Sequence, residues 1–483
     1  MKLADFVVNG LKPDRLKWLR GESTANGGRH VLYYMQASLR TRYNYALHAA
    51  IKAANTLQQP LHVLFTVDTS AERMSERHMA FLLESLKDVH ASLHAQKIPF
   101  HAVHCAHASS MTPVEAVAFA SANASVVVTD HPYLRHERRR TEAFVAAVKV
   151  PVLQVEADVM IPVATISNHE EHNNGTIRPK IKKLMPNYLL PLPPLRYLKP
   201  TAVPDTWSPP LTPLDLSASV ESLLAAASDV DVSVPRVSTY LGGETHAQAT
   251  LEVFLRDKLL DYETERNKPE KDATSNLSPY LRYGNISPVD VALRVLATEG
   301  PEPAMTLSRN HMIDEMVVRR ELAVNFLERA KTHDAYWNAC QLDMMATGKM
   351  QGYLRQYWGK KILEWSATPE EGHAFAVVQN AKYNLDGYDP NGYAGVAWSF
   401  GKHDRVFSER PVYGTVRYMG ARRLNDIFDM PAYIALVKQR CADAKLPHAQ
   451  RNDTPPPAPT EHKKRRPRSR KKKTQTPPSG TAA

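Results

Sequence analysis

Cysteine is scarce in this chain of 483 residues: the three present, Cys105, Cys340 and Cys441, are odd in number and far apart. That pattern argues against a disulfide framework and for a reducing compartment. None lies near a second cysteine or a histidine at zinc-ligand spacing, so no metal site is expected. Long apolar runs are missing as well. No stretch approaches the ~20 residues a bilayer span requires, and the start, Met1-Lys2-Leu3-Ala4-Asp5-Phe6, has no apolar signal core. No membrane association is expected. No GxGxxG follows the first strand-like segment, so the standard dinucleotide fingerprint is absent. Negative charge is absent from residues 463–473, which carry nine lysines and arginines, leaving +2 of the net +11 for residues 1–462. A polyanion site in the folded part must therefore come from a local patch rather than global charge. The basic run itself reads as a nonspecific polyanion-binding tail or a nuclear address: nucleus in a eukaryote, cytoplasm otherwise.

What is present belongs to a globular protein, with 43% hydrophobic and 23% charged residues and enough length for two or three domains. From His30 to about Val159 strand and helix signals alternate. Strands are expected at 30–35, 61–67, 100–105, 125–129 and 152–155, with helices at 43–57, 75–96, 113–122 and 137–148. Repeated βα units of this length give a doubly wound parallel sheet, a Rossmann-like α/β domain. Residues 186–235 are rich in Pro, Ser and Asp with weak periodicity, the mark of a surface connection. Helices follow at 247–263, 287–298, 312–330, 334–347, 351–365 and 369–379. The expected organisation is an N-terminal extension (1–29), an α/β domain (30–184), a linker (185–236), an all-helical domain (237–445) and a disordered basic tail (446–483).

Four of the six tryptophans fall between residues 337 and 398. Trp358 and Trp365 are seven apart in a helical run, so they share a face about 10.5 Å apart along the axis. Such a pair either packs a core or passes electrons toward a redox cofactor; the neighbours decide. Upstream, the run from Arg266 to Tyr280 sets hydroxyl and amide side chains before Pro279. This reads as an ordinary capped helix start or as an anion-binding one.

Several ordered stretches together are more specific. They are Thr176-Ile177-Arg178-Pro179-Lys180-Ile181, Ser275-Asn276-Leu277-Ser278-Pro279-Tyr280-Leu281, Val317-Val318-Arg319-Arg320-Glu321-Leu322-Ala323 and Ala330-Lys331-Thr332-His333-Asp334. The run from Trp358 to Trp365, Leu385-Asp386-Gly387-Tyr388-Asp389-Pro390-Asn391-Gly392-Tyr393 and Glu409-Arg410-Pro411 complete the set. With them the chain resembles class II cyclobutane pyrimidine dimer photolyases, in the photolyase/cryptochrome superfamily, from about Val31 to Phe428.

The resemblance implies an α/β antenna-type domain and a helical domain holding a U-shaped FAD. It assigns the flavin cradle to Tyr262, Thr274, Ser275, Asn276, Leu277 and Ser278, with Arg355 and Asp386 paired beside the ring and Asn380 facing flavin N5. A neutral amide there suits an anionic flavin better than a carboxylate would. Trp358, Trp337 and Trp365 take the proximal, middle and surface places of a photoreduction relay. Trp398 would stack on the extruded lesion, an interaction worth roughly 1–3 kcal/mol per base. Glu315 would contact the pyrimidine edge as a buried, protonated or hydrogen-bond-sharing carboxyl. Arg266, Arg405 and Arg417 would face DNA phosphates or the gap left by the lesion, and Gln356 would lie near the lesion. The implied partner is double-stranded DNA with pyrimidine dimers, flipped out and split by an electron from photoexcited reduced FAD. The implied protein is a monomer, with room for a second antenna chromophore of unspecified identity.

Three departures stand out. Only Phe326-Leu327-Glu328-Arg329 separates Asn325 from Ala330, where the family carries several tens of residues. Gln356 stands where the family often has Met, and Phe407 replaces a Trp after His403-Asp404-Arg405. A cryptochrome-like photoreceptor signalling through the tail, and a DNA-binding remnant without repair activity, are the competing readings.

Overall fold

The computed structural model describes all residues except 70–73, 106–110, 134, 167–173, 199–210, 212, 228–229, 320–333, 367, 411 and 445–483. The shortened segment after Asn325, the stretches around 320–333 and the basic tail therefore lie outside the described residues.

Continuous apolar runs build the first half. Strands β1 (Leu16–Arg20), β2 (His30–Tyr34), β3 (Leu61–Asp68), β4 (Phe100–Cys105), β5 (Ala124–Asp130) and β6 (Val152–Val155) form one sheet in the order β1-β6-β5-β2-β3-β4. The interior strands are buried on both faces, as parallel strands covered by helices must be. Alternation sorts the side chains of β2. Val31 and Tyr33 join the core with α1 (Tyr45–Leu57) and α2 (Glu76–Ala95), while Leu32 and Tyr34 join that with α3 (Pro113–Ala120) and α4 (Arg135–Ala147).

The expected all-parallel sheet needs one correction. β1 pairs antiparallel with β6 and lies inside the expected N-terminal extension. Leu16-Lys17-Trp18-Leu19-Arg20 mixes charges with apolar residues, as a short edge strand does, so its pattern was unreadable alone. Trp18 packs edge-on against Phe6 at 6.0 Å.

Short helices α5 (Val163–Ile166) and α6 (Asn174–Leu184) close the α/β domain, and α7 (Val220–Ala226) lies in the described part of the connecting region. The helical half comprises α8 (Glu244–Val253), α9 (Tyr262–Glu265), α10 (Ser278–Arg282), α11 (Pro288–Ala297), α12 (Ala304–Ile313) and α13 (Ala335–Thr347). It continues with α14 (Gly352–Trp365), α15 (Pro369–Tyr383), α16 (Pro390–Ser399), α17 (Ala421–Asn425) and α18 (Met430–Asp443). The single helix expected over 247–263 is broken by a π-helical turn at Phe254–Lys258, and a second π turn, Asp314–Arg319, follows α12. Such turns re-aim side chains at little cost and recur at functional sites. No described helix is long and apolar enough to cross a membrane.

The halves are joined by buried polar contacts. Arg40 pairs with Asp158 at 2.6 Å and donates to the Gly284 carbonyl at 2.9 Å. Glu244 accepts the N–H groups of Thr41 and Arg42 at 2.7 and 2.9 Å. Arg77, at the start of α2, donates to the carbonyls of Met344 (3.1 Å), Met345 (2.6 Å) and Tyr383 (2.8 Å). A cation is thus placed at the C-terminal ends of α13 and α15, where the helix dipoles favour it.

Candidate active site

The largest concentration of the expected residues surrounds an open cavity of about 530 Å³ in the helical half. Its wall holds Tyr262, Arg266, Thr274, Ser275, Leu277, Ser278, Glu315, Arg355, Gln356, Asp386, Trp398 and Arg417. Asn276 lines an adjoining cavity of about 250 Å³, which shares Thr274, Lys349 and Gln351 with the first. Trp358, Trp337, Trp365, Asn380 and Arg405 are not on either wall.

The hydroxyl-rich loop is bent where its sequence allows. Asp272 and Asn276 both adopt left-handed backbone, with φ of +35° and +57°. Asn tolerates that region better than most residues. Thr274 Oγ1 donates to Asn276 Oδ1 at 3.0 Å, and Asn276 Nδ2 donates to Asp272 Oδ1 at 3.0 Å. Ser278 Oγ is shielded from water and has no hydrogen-bond partner among the described residues, although its residue lines the cavity. An orphaned hydroxyl beside a polar groove fits a ligand with strong acceptors. Lys349, which the sequence reading missed, donates from Nζ to Thr274 Oγ1 at 3.1 Å and to Asn276 Oδ1. Burial lowers its ammonium to about 8.

On the opposite wall Arg355 of α14 meets Asp386, in the turn after α15, at 3.0 Å. Both are nearly buried, a costly arrangement unless the pair is well hydrogen-bonded. Glu315, carried into the cavity by the π turn, accepts from Arg266 Nη1 at 2.5 Å. The carboxyl, expected to be buried and either protonated or sharing a hydrogen bond, is partly exposed and shares one with Arg266. Arg266 in turn lies over the Tyr262 ring, 5.7 Å from its centroid.

Trp398 reaches the cavity from the last turn of α16. The position of that helix depends on Gly359, where an added Cβ would fall 2.7 Å from Ser399 Cβ. Lys360, fully buried and lowered to about 8 by desolvation, donates to the Ser399 carbonyl at 3.0 Å and closes the same helix. Arg405 sits apart on an exposed loop, its guanidinium 4.9 Å from the Phe407 ring centroid.

Asn380 is buried just behind the wall. Its Nδ2 donates to the Gly387 carbonyl at 3.3 Å and its Oδ1 accepts from Asn384 Nδ2 at 2.8 Å. Gly392 leaves room for this amide, since a Cβ there would lie 3.0 Å from Asn380 Nδ2.

The three relay candidates touch in sequence. Trp337 stacks on Trp358 with centroids 6.3 Å apart and planes 7° apart, and meets Trp365 edge-on at 5.4 Å. Trp358 and Trp337 are buried, and Trp365 is half-exposed. Trp337 Nε1 donates to the Trp358 carbonyl at 3.0 Å, and Trp358 Nε1 to Gln341 Oε1 at 2.8 Å, so the indoles are fixed in orientation.

A separate cavity of about 260 Å³ opens at the C-terminal ends of β2 and β3, between the halves. It lies beside the point where strand order reverses between β2 and β5, the usual ligand crevice of such sheets. Gln36, Phe65, His78, Arg140, Tyr283 and Tyr388 are among its lining residues.

The model for DNA photolyase matches residues 31–199. A deoxyribodipyrimidine photo-lyase of Methanothermobacter thermautotrophicus is 37% identical over 88% of this chain and 98% of its own length. Two solved structures share the fold: a class III photolyase from Agrobacterium tumefaciens (TM-score 0.63, 17% identity, 86% of this chain and 88% of that one) and an archaeal photolyase from Sulfolobus tokodaii described with two FAD molecules (TM-score 0.57, 14% identity, 85% and 89%). With more than a third of its residues shared along nearly the whole length of a photo-lyase, and with the same two-part fold, this chain belongs to the DNA photolyase family of the photolyase/cryptochrome superfamily.

Proposed function

We propose that this protein is a light-driven DNA repair enzyme of the class II photolyase type, which splits cyclobutane pyrimidine dimers in double-stranded DNA with FAD as its cofactor. The single observation that carries the reading is the shared cavity, whose lining brings a hydroxyl-rich loop with an orphaned Ser278 Oγ together with Glu315, Gln356 and Trp398. The loop offers donors to an anionic cofactor, and Trp398 with Glu315 and Gln356 offers a flat aromatic surface and hydrogen-bonding groups to the extruded pyrimidines.

When bound, reduced FAD would supply the light-driven one-electron chemistry of ring splitting. The protein's own residues bind, orient and shield. Thr274, Ser275 and Ser278 offer hydroxyls to the diphosphate, and Arg355 offers a guanidinium held in place by Asp386. Asn380 presents a neutral amide whose direction Asn384 and Gly387 set. Glu315, held by Arg266, accepts a hydrogen bond from a pyrimidine N–H, while Trp398 stacks on the extruded bases. Arg405 and Arg417 suit phosphates at the rim. Stacked Trp337 links buried Trp358 to half-exposed Trp365, a route for returning the cofactor to its reduced state. The crevice at the sheet's switch point is the place for a second, light-collecting chromophore.

The test is direct. The purified protein is reduced, mixed with duplex carrying thymine dimers, and illuminated with blue light. Recovery of intact thymines supports the proposal; photoreduction without recovery would favour a photoreceptor instead.

A further inference from the structure

Lys349 occupies the turn between α13 and α14, directly after Gly348, whose φ of +76° ends α13. It lies on the seam of the two adjoining cavities. Its Nζ bridges Thr274 Oγ1 and Asn276 Oδ1, so one cation ties the hydroxyl-rich loop to the wall that carries Arg355. Charge faces it from several elements. Asp272 and Lys258 approach from the loop side, Asp386 from the turn after α15, and Arg355 from α14. The Asp343–Arg440 pair of α13 and α18 lines the smaller cavity too.

The nearby carboxylates are committed elsewhere. Asp272 holds Lys258 at 2.9 Å, Asp386 holds Arg355 at 3.0 Å, and Asp343 holds Arg440 at 2.9 Å. Among the described residues, the direct hydrogen-bond partners of Lys349 Nζ are a neutral hydroxyl and a neutral amide. Burial consequently outweighs the distant carboxylates and lowers the ammonium to about 8. A primary ammonium held by neutral acceptors in a groove open to solvent is short of negative charge.

We propose that Lys349 anchors the anionic diphosphate of the dinucleotide in this groove, and that loading is coupled to uptake of one proton at its Nζ. The proposal rests on the flavin reading above. Lys349 Nζ, now on Thr274 and Asn276, would find stronger acceptors in a diphosphate, and an adjacent anion favours the charged form of the amine. The proton comes from solvent and no covalent bond changes. Above the free lysine's value of about 8, each empty site must first gain a proton, so affinity falls by up to about tenfold per pH unit. Below it the site is already charged and affinity is flat. An arginine, which stays protonated throughout, removes this dependence while keeping the charge.

The experiment uses full-length protein stripped of flavin. FAD affinity is read from quenching of flavin fluorescence between about pH 6.5 and 9.5, and proton uptake from calorimetry in two buffers of different ionisation enthalpy. Expected are a flat affinity below about pH 7.5, a decline above pH 8, and proton uptake rising from near zero at about pH 6.5 toward one per FAD at about pH 9.5. Lys349→Arg flattens the decline and abolishes the uptake; Lys349→Met lowers affinity about tenfold or more at neutral pH. Riboflavin, which has no phosphate, shows no pH dependence from this source. A wild-type profile that stays flat to pH 9.5, or uptake unchanged in Lys349→Arg, overturns the inference while leaving FAD binding intact. Absence of FAD binding at every pH would instead defeat the flavin reading itself.

Discussion

The two halves of the molecule hold their buried titratable groups differently. In the sheet half desolvation keeps histidines and a thiol uncharged, lowering His48 to about 4 and His62 to about 3 and raising Cys105 to about 12, while buried Arg40 and Arg77 stay charged against Asp158 and backbone carbonyls. The helical half buries lysines. Lys349 and Lys360 are each lowered to about 8 but remain largely protonated at neutral pH, facing hydroxyl, amide and carbonyl oxygens. Lys360 serves the end of α16, whereas Lys349, on a cavity wall, is placed to meet an anion. The pH signs differ accordingly. Buried neutral histidines give stability that is present above their unfolded value and lost as pH falls. The lysines carry a cost at neutral pH that is relieved as pH rises through about 8, or when an anion arrives.

The comparison would break most visibly at the joint. Gly284, with φ of +67°, approaches the sheet half so closely that an added Cβ would lie 1.9 Å from the Ala37 carbonyl oxygen. Gly284→Val should therefore destabilise the protein by about 4 kcal/mol, from backbone strain plus overpacking. Urea unfolding followed separately by tryptophan fluorescence, which reports mainly the helical half where four of the six tryptophans lie, and by far-UV circular dichroism should then split into two transitions. A single transition at the wild-type midpoint would mean the halves do not depend on this contact.

The next largest effect lies within the helical half. Trp358→Phe should slow photoreduction of bound flavin by about a hundredfold, because it removes the indole that stacks at 6.3 Å on Trp337, an effect equivalent to about 2.7 kcal/mol in barrier. Repair by chemically prereduced enzyme should change little. Equal losses in both assays would show that the stack serves packing alone.

How much of this was legible follows the same division. The runs that became β2 to β6 are short, mostly apolar segments, and their alternation with helical repeats is a local signal. β1 escaped because its charges mask its period, and α16 because Asn391-Gly392-Tyr393-Ala394-Gly395 lacks helical propensity and forms a helix only against α14. The seven-residue spacing placed Trp358 and Trp365 on one face, but Trp337, which slots between them, comes from another helix and no spacing announces it. Resemblance supplied the hydroxyl-rich loop and the Arg355–Asp386 pair. Lys349 was invisible because its partners are 73 and 75 residues away. Resemblance named Glu315, but its pairing with Arg266, 49 residues distant, is not readable from spacing.

Acid sharpens the comparison from the other side. Below about pH 6.5 the unfolded chain gains protons at His48, His62 and His78 that the folded one refuses until about pH 4 or 3. Stability should fall progressively across that window, at up to about 1.4 kcal/mol per pH unit for each histidine. His78 matters most for the joint, since its Nε2 contacts the Asn384 carbonyl at 3.2 Å. Hydrogen exchange at pH 5 against pH 7 should show protection lost first in β3 and the start of α2. Earlier loss in α13 or α14 would reverse the assignment of acid sensitivity to the sheet half.

The smallest expected effect tests how finely the helical half is tuned. Asn384 donates to Asn380 Oδ1 at 2.8 Å, while Asn380 donates to the Gly387 carbonyl. Turning the Asn380 amide over would set two NH₂ groups together and two carbonyl oxygens together, so its direction is fixed. A carbonyl that already accepts a bond is polarised, which makes its own N–H groups better donors to an electron-rich ring. Asn384→Leu removes that polarisation and should stabilise reduced flavin less by about 1 kcal/mol, one neutral hydrogen bond's worth. The flavin potential then moves a few tens of millivolts more negative by that estimate, with FAD content unchanged. A potential unmoved in Asn384→Leu but shifted in Asn380→Leu would assign the tuning to Asn380 alone and leave Asn384 a packing residue.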